Sequence, residues 1–221
     1  MLSSCTKIHE QKSTLFYSVP SDESGIDFGN YITTSNDFNF FNFGYIYSGA
    51  GVAIGDINND GLQDVFFAGN MVSNRLYLNL GDLKFKDITA EAGFTEQRQW
   101  NSGATMADVN GDGFLDIYVS VSGTKEMAKE NRLYINNQDF SFTESAAQRG
   151  VSDGGHSTQS TFFDYDRDGD LDLYVANYPP AGFQNPHAYY REKMDNVPDS
   201  DTDHLFENDG KGLFKDVTKQ S

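Results

Sequence analysis

One nine-residue acidic pattern, D-x-[D/N]-x-D-G-x-x-D, occurs three times in the chain. The copies begin at Asp56, Asp108 and Asp164. Oxygen-bearing side chains at alternate positions around a tight glycine turn can converge on one hard cation, and Ca²⁺ accepts about six to eight oxygens at flexible geometry. A single acidic turn is common on protein surfaces, but three copies with identical internal spacing predict three calcium-binding loops.

Each loop offers the same set of oxygen ligands. We expect the side chains at positions one, three, five and nine to bind the ion, together with the backbone carbonyl at position seven. The predicted ligands are Asp56, Asn58, Asp60, Leu62 and Asp64; Asp108, Asn110, Asp112, Phe114 and Asp116; and Asp164, Asp166, Asp168, Asp170 and Asp172. The third loop carries the most carboxylates, so it is predicted to bind calcium most tightly.

The residues that follow each loop exclude an EF-hand. An EF-hand places a bidentate Glu at loop position twelve and continues as a helix, but position twelve is Phe67, Val119 and Val175 here. The runs after position nine are β-branched and aromatic, which favours strand. We therefore predict that each acidic loop joins the two arms of a β-hairpin.

The repeat is larger than the loop. The first and second copies begin 52 residues apart, and the second and third 56 residues apart. A short apolar stretch precedes each loop, and two further strand-like segments follow its hairpin. Two landmarks recur there, an Asn that ends the third segment and a Phe that begins the fourth, at Asn79 and Phe85, Asn136 and Phe142, and Asn208 and Phe214. Four short strands per unit predict an all-β fold made of β-propeller blades.

These units resemble the FG-GAP or VCBS-type repeat, which is similar to the calcium-binding blades of integrin α-subunit propellers. The string from Gly51 to Asp64, GVAIGDINNDGLQD, further resembles bacterial VCBS-repeat proteins that often carry a downstream ASPIC/UnbV domain. The resemblance extends over roughly residues 25–221. It implies a calcium-stabilised ring of about seven blades, frequently on secreted or surface-anchored proteins. It implies no single activity, because one fold hosts many functions.

Five segments follow from this interpretation. Residues 1–24 form a lipobox remnant and flexible tether, and residues 25–48 an N-terminal strand segment. The blades span residues 49–100, 101–156 and 157–221, the last with an insertion at 177–203. Three visible blades make an open arc. We expect this chain to be the N-terminal portion of a longer protein whose further blades or domains complete it, with closure by oligomerisation as the alternative.

Cys5 is the only cysteine, in the string Leu2-Ser3-Ser4-Cys5. This string matches the end of a bacterial lipobox, in which the cysteine carries the lipid anchor, although the apolar signal region expected before it is missing. A chance surface cysteine is the alternative. The lipobox predicts an exported lipoprotein at the bacterial outer membrane or cell surface, with the periplasmic side also open.

The net charge of −17 does not by itself predict a basic partner. Eleven of the acidic residues lie inside the three loops, and three bound Ca²⁺ ions would return six charges, leaving about −11. The sequence has no basic stripe, so nucleic-acid binding through phosphates is disfavoured.

The face opposite the acidic loops is predicted to contact a ligand or partner. It receives the insertion, whose exposed aromatic residues and Arg suit recognition of sugars or proteins. The residues assigned to this face are Trp100, His156, Tyr178, Phe183, His187, Tyr189, Tyr190 and Arg191. Packing between blades is the alternative for Trp100 and His156, and packing onto the propeller is the alternative for Tyr189 and Tyr190.

Two functions remain open on the sequence. The first is a calcium-stabilised binding or scaffold module on a bacterial surface, with a glycan or an outer-membrane protein as partner. The second is the propeller part of a polysaccharide-acting enzyme whose catalytic residues lie on the insertion face or beyond Ser221. The chain has no G-x-S-x-G and no H-E-x-x-H motif, which favours the first function.

Overall fold

The structure is a computed structural model, and it describes residues 15–94, 99–123, 127, 129–178, 191–192 and 197–219. Within these residues twelve β-strands form three four-stranded sheets. The first sheet contains β1 (Val52–Gly55), β2 (Asp64–Phe67), β3 (Arg75–Asn79) and β4 (Phe85–Asp87). The second contains β5 (Trp100–Ala107), β6 (Asp116–Ser122), β7 (Arg132–Asn136) and β8 (Phe142–Glu144). The third contains β9 (Ser157–Phe163), β10 (Asp172–Asn177), β11 (His204–Asn208) and β12 (Phe214–Asp216).

Every sheet is an antiparallel meander in which each strand pairs with the next one along the chain. The described helices are short: α1 (Ser21–Ser24), α2 (Ala146–Arg149) and a 3-10 turn at Asp199–Asp201. None of the described helices is long and apolar enough to cross a membrane. The all-β class and the four-stranded blades predicted from the sequence are confirmed, and the three blades form an open arc.

The three blades stack face to face, and the second is covered on both sides. All seven residues of β6 are buried. Because successive side chains of a strand point to opposite faces, β6 contributes to two cores. Ile117 and Val119 lie in the core shared with the first blade, where they join Phe66. Tyr118 lies in the core shared with the third blade.

Glycines allow the first strands of neighbouring blades to approach each other closely. A Cβ added to Gly51, just before β1, would lie 2.2 Å from the backbone nitrogen of Ala104 in β5. A Cβ added to Gly103 would lie 2.2 Å from Gln159 Oε1 and 2.8 Å from the Thr158 carbonyl in β9. Side chains cannot occupy such gaps, so glycine at these two positions sets the spacing of the blades.

The strand predicted within residues 25–48 is not present, because turns take its place. The reason is the density of asparagine and serine, whose side chains bond to the local backbone and compete with strand pairing. Asn39 shows this directly. Its amide group donates to the carbonyls of Ser35 and Asn36 at 3.1 and 2.9 Å, and its oxygen accepts from the backbone N–H of Phe41 at 2.9 Å.

The N-terminal segment covers part of the outer face of the first blade. Phe28 stacks on Phe67 of β2 with 4.9 Å between ring centroids. The hydroxyl of Tyr77 in β3 donates to Asp27 at 2.7 Å, and burial, together with this carboxylate, raises the pKa of Tyr77 to about 12. This cover is partial, since Val52 and Ile54 of β1 remain more than half exposed.

Candidate metal centres

The three acidic loops lie side by side on one face of the arc. They connect β1 to β2, β5 to β6 and β9 to β10, as predicted for hairpin loops. The first two loops touch directly, because the Asn59 side-chain amide donates to the carbonyl of Gly113 at 2.9 Å. The sixth-position glycines have φ values of 87°, 88° and 101°. This left-handed conformation favours glycine and explains its presence in all three copies.

In the first two loops, the position-one carboxylate accepts hydrogen bonds from the backbone amides of positions five and six. Asp56 accepts hydrogen bonds from the backbone N–H groups of Asp60 and Gly61 at 3.1 and 2.7 Å. Asp108 does the same with Asp112 and Gly113 at 3.1 and 2.8 Å. In the third loop the position-one Asp164 accepts instead from the backbone N–H of Arg167 at 2.6 Å.

The ninth-position aspartates, Asp64, Asp116 and Asp172, are buried. One oxygen of each accepts from the position-two amide and the other from the Asn that ends the third strand. The donors are Ile57 (3.0 Å) and Asn79 (2.7 Å), Val109 (3.1 Å) and Asn136 (2.8 Å), and Tyr165 (3.0 Å) and Asn208 (2.9 Å). Each of these aspartates therefore fastens its loop to its own blade.

Burial and like charges make several loop carboxylates costly to ionise. Burial raises the pKa of Asp116 to about 6, and the nearby Asp112 and Asp108 carboxylates add to the shift. Burial is also the main cause of a raised pKa at Asp64. In the third loop, burial and four neighbouring carboxylates raise the pKa of Asp170 to about 6. A bound cation would remove this cost by favouring the charged form.

The third loop has the clearest ion-sized arrangement. Oxygen atoms of Asp164, Asp166 and Asp172 all lie within 4.8 Å of one another. The Oδ1 atom of Asp170 is buried and has no hydrogen-bond partner among the described residues. Carboxylate and carbonyl oxygens suit a hard cation such as Ca²⁺. The residues present in this loop therefore fit the predicted metal.

The first two loops have a position-three asparagine that is engaged with a carboxylate. Asn58 donates its side-chain amide to Asp60 at 2.9 Å, and Asn110 donates to Asp112 at 3.1 Å. In the first two loops these contacts partly offset the repulsion among carboxylates. The third loop has Asp166 in place of this asparagine, so its carboxylates repel one another more strongly. The three loops are thus equivalent in backbone shape but differ in how much uncompensated negative charge they carry.

Two asparagines link neighbouring loops, a role that the sequence analysis did not assign. The side-chain amide of Asn136 donates to the carbonyl of Ile57 at 2.8 Å, and that of Asn208 donates to the carbonyl of Val109 at 2.9 Å. Each contact joins the third strand of one blade to the acidic loop of the preceding blade. The available signal was the recurrence of Asn in register at three strand ends.

The structure buries two of the residues predicted for a ligand face. Trp100 is 2% exposed, and its ring packs against Phe43 and Phe38 with centroid distances of 5.0 and 5.3 Å. His156 is 5% exposed and lies 5.7 Å from the ring of Tyr178. Both side chains are therefore packed, but Trp100 packs against the turns of residues 35–48 and not between blades, which was the alternative given for it.

Tyr178 and Arg191 are the other described members of that set. Tyr178 lies against Tyr45, with 4.1 Å between ring centroids, and its hydroxyl is 2.8 Å from Ser122 Oγ. Arg191 is exposed. The remaining members, Phe183, His187, Tyr189 and Tyr190, lie outside the described residues, as does Cys5.

Comparison with known proteins gives a family and a set of relatives. A family model described as FG-GAP-like repeat matches residues 56–119 and 121–175, which together make up more than half of the chain. Cartilage acidic protein 1 of Xenopus tropicalis is 38% identical over 69 residues, 31% of this chain and 11% of that protein. The Homo sapiens protein is 38% identical over 69 residues, 31% of this chain and 10% of its own length. The Mus musculus protein is 36% identical over 70 residues, 32% of this chain and 11% of that protein. The matched segment thus spans about a tenth of these relatives.

Proposed function

Because this chain belongs to the FG-GAP-like repeat family, we propose that it is a calcium-stabilised binding or scaffold module built on β-propeller blades. Each acidic loop holds one Ca²⁺ in this proposal. The observation that carries it is the third loop, where oxygens of three aspartates lie within 4.8 Å of one another. A buried Asp170 oxygen of the same loop has no hydrogen-bond partner among the described residues. Without a cation, the mutual repulsion and the burial of these carboxylates destabilise the folded state.

The chain's own residues provide both the ligands and their support. In this proposal the side chains at positions one, three, five and nine and the carbonyl at position seven of each loop supply the ligand oxygens. A bound Ca²⁺ supplies two positive charges and fixes the ligand oxygens in one geometry. The backbone amides that bond to Asp56 and Asp64 hold these carboxylates in place before an ion arrives.

Further blades are the proposed partners of the two ends of the arc. At one end Val52 and Ile54 of β1 are 52% and 63% exposed, and at the other end Phe163 is 41% exposed. Aliphatic and aromatic side chains on a sheet face are normally covered by another layer. We propose that blades of a longer chain cover them, with oligomerisation of this chain as the alternative.

Export and lipid anchoring at Cys5 complete the proposal, with the assembled propeller displayed at a bacterial outer membrane or cell surface. The support is the lipobox-like string Leu2–Cys5 and the polar stretch that follows it. A glycan or surface protein is the proposed ligand. Metabolic labelling with a palmitate analogue tests the anchor, since Cys5→Ala would abolish incorporation and unchanged incorporation would contradict it.

Calorimetric titration of the chelator-treated chain with CaCl₂ tests the proposed function. We expect about three sites and a melting temperature that rises with calcium, because a ligand that binds only the native state stabilises it. Heats equal to the dilution control, or a melting temperature that chelator leaves unchanged, would overturn the calcium proposal.

A further inference from the structure

The segments that lead from the fourth strand of one blade towards the next blade share one local structure. We call these segments links, and they span residues 88–93 after β4 and 145–150 after β8. Each ends at a glycine in the left-handed conformation, Gly93 (φ 83°) and Gly150 (φ 81°). In each, the N–H of the residue before the glycine bonds to a carbonyl one helical turn earlier. The pairs are Ala92 with Ile88 at 2.8 Å and Arg149 with Ser145 at 3.0 Å.

Each link rests on the fourth strand of the blade that it leads into. A Cβ added to Gly93 would lie 3.6 Å from the carbonyl oxygen of Phe142, and one added to Gly150 would lie 2.5 Å from that of Phe214. Phe142 and Phe214 begin β8 and β12. A link is therefore recognised by its turn, its final glycine and its contact with an equivalent phenylalanine.

The N-terminal segment contains a third link, at residues 20–25. The N–H of Ser24 bonds to the Pro20 carbonyl at 2.9 Å, and Gly25 is left-handed with a φ of 77°. A Cβ added to Gly25 would overlap the carbonyl oxygen of Phe85, which begins β4. No sheet precedes this link among the described residues. It nevertheless has the structure of a connection from a further blade into the first one.

The residues ahead of this third link stand where a fourth strand stands in the other blades. Residues 17–19 precede Gly25 at the spacing at which β4 precedes Gly93 and β8 precedes Gly150. Tyr17 then corresponds to the phenylalanine that begins each of those strands. An aromatic residue thus opens the segment before all three links.

Residues 15–20 lack the partner that a fourth strand has. They pair with no strand among the described residues, and Leu15, Phe16 and Tyr17 are 89%, 85% and 74% exposed. Consecutive large apolar side chains in solvent indicate a surface that a partner covers. The third strands β3, β7 and β11 already pair with their own fourth strands. In the part of the chain that the structure describes, neither this chain nor a second copy therefore offers a free third-strand edge.

We propose that residues 15–19 form the outermost strand of a further blade, whose first three strands come from elsewhere in a longer chain. The inference rests on the further blades of the proposed function, and it states how one of them is completed. An added strand binds a free sheet edge through backbone hydrogen bonds. The chain then passes through residues 20–25 into the first blade, so the same further blade lies beside β1 and covers Val52 and Ile54.

Pro20 sets the end of the proposed strand. The residues that follow β4, β8 and β12 donate their N–H groups to carbonyls of the neighbouring third strands. The pairs are Ile88 with Leu76 at 2.9 Å, Ser145 with Leu133 at 2.7 Å and Val217 with Leu205 at 2.9 Å. Pro20 occupies this position before its link and has no N–H, so that one bond is absent and pairing ends at Val19. Proline is tolerated at the edge of a sheet, where a fourth strand lies.

A tandem chain tests the proposal by offering residues 17–19 a free third-strand edge. Residues 1–213 are joined directly to residues 17–221 of a second copy, so that residues 17–19 take the place of the missing β12. We expect the tandem to unfold in one transition in calcium. Hydrogen exchange of residues 17–19 at the junction should be at least about tenfold slower than in the single chain, where these residues have no strand partner.

The matched control is the same tandem with Ser18→Pro, which removes a backbone donor from the middle of the proposed strand. Exchange at Tyr17 and Val19 should return to the rate of the single chain. The proposal is overturned if residues 17–19 exchange as fast in the tandem as in the single chain. It is also overturned if Ser18→Pro leaves their protection unchanged.

A variant of the single full chain decides the matter if the tandem fails to fold. Phe214→Tyr, Lys215→Ser and Asp216→Val together give β12 the sequence of residues 17–19. We expect the amides of residues 214–216 to stay protected from exchange. If they exchanged as fast as residues 17–19 of the native chain while the first two blades stayed protected, the proposal would be overturned.

Thiol labelling separates this inference from the proposed function. The tandem carries Cys5→Ser, and Ile54→Cys in its second copy only. Slow labelling together with slow exchange at residues 17–19 is the expected result. Slow labelling with fast exchange would overturn the strand inference and leave the cover of β1 by a further blade in place. Fast labelling with slow exchange would contradict that cover and leave the strand pairing in place.

Discussion

The side-chain amide of Asn136 donates a 2.8 Å hydrogen bond to the carbonyl of Ile57, while its backbone N–H donates to Asp116 at 2.8 Å. One residue therefore touches the acidic loops of two blades. Asn208 repeats the arrangement one blade further on, with Val109 and Asp172 as partners. Neighbouring loops are connected through these asparagines, so a change at one loop is expected to reach the next.

Asn136→Ala should destabilise the chain by about 1–3 kcal/mol, because it leaves the buried Ile57 carbonyl without its donor. Calcium affinity of the first loop should fall as well. Urea unfolding and calcium titration measure the two effects. Asn79→Ala is the matched control, since the Asn79 amide donates only to Gln63 within its own blade. Equal losses in both variants would argue against a connection between loops.

Asp112→Ala should lower the melting temperature in calcium and have little effect in chelator. Asp112 is an exposed loop residue and a proposed ligand, and its carboxylate accepts the N–H of Phe114 at 2.9 Å, so its main contribution is expected only when an ion is present. Differential scanning calorimetry in the two buffers measures this difference. Intact stability in calcium would show that the second loop does not depend on a metal.

Gly103→Ala should cost about 1–3 kcal/mol, because the added methyl overlaps the Gln159 side chain and the Thr158 backbone at the contact between β5 and β9. Gly154→Ala serves as the control, since a Cβ there meets no atom within 4 Å. Chemical denaturation of both variants compares them directly. If Gly103→Ala lost no more unfolding free energy than Gly154→Ala, the close approach of β5 and β9 would not contribute to stability.

Trp100→Ala should destabilise the chain by about 3–5 kcal/mol, the range for removing a large buried aromatic side chain. It should also expose the turns of residues 35–48 to proteases, because Phe43 and Ile46 pack in the same cluster. Limited proteolysis and urea unfolding report the two effects. Tyr47→Ala, at a residue that is 67% exposed, should change neither, and protection of the turns in Trp100→Ala would contradict the packing role.

The strands and loops could be predicted from sequence because their signals are local. The position-nine aspartate lies at a fixed spacing after the glycine turn, so the loop is recognisable from a short stretch of sequence. The β-branched run that follows it favours a buried strand. The strand predicted within residues 25–48 rested on a partial alternation of aromatic and polar residues at positions 36–47. It does not form, because the asparagine side chains there bond to the local backbone. Alternation of aromatic and polar residues is compatible both with a strand and with turns that asparagine side chains stabilise, so it does not distinguish the two.

Contacts between distant residues were beyond sequence reasoning. Asn136 and Ile57 are separated by 79 positions, and only stacking of the blades brings them together. The pairing of His204 with Asp153 arises in the same way, across 51 positions. The placement of Trp100 against Phe43 depended on the turns that replaced the predicted strand. The finer assignment to bacterial VCBS proteins with an ASPIC/UnbV domain, and the lipid anchor at Cys5, stay predictions.

The close approach at Gly51 and Gly103 has a geometric consequence for any circle that these units complete. Each glycine lets the first strand of the next blade lie closer than a residue with a side chain would allow. The spacing between the first strands of neighbouring blades is thereby reduced. The third unit has Gln159 at the equivalent position. A further blade therefore cannot repeat at β9 the side-chain-free approach made at Gly51 and Gly103, and we expect its spacing from β9 to differ.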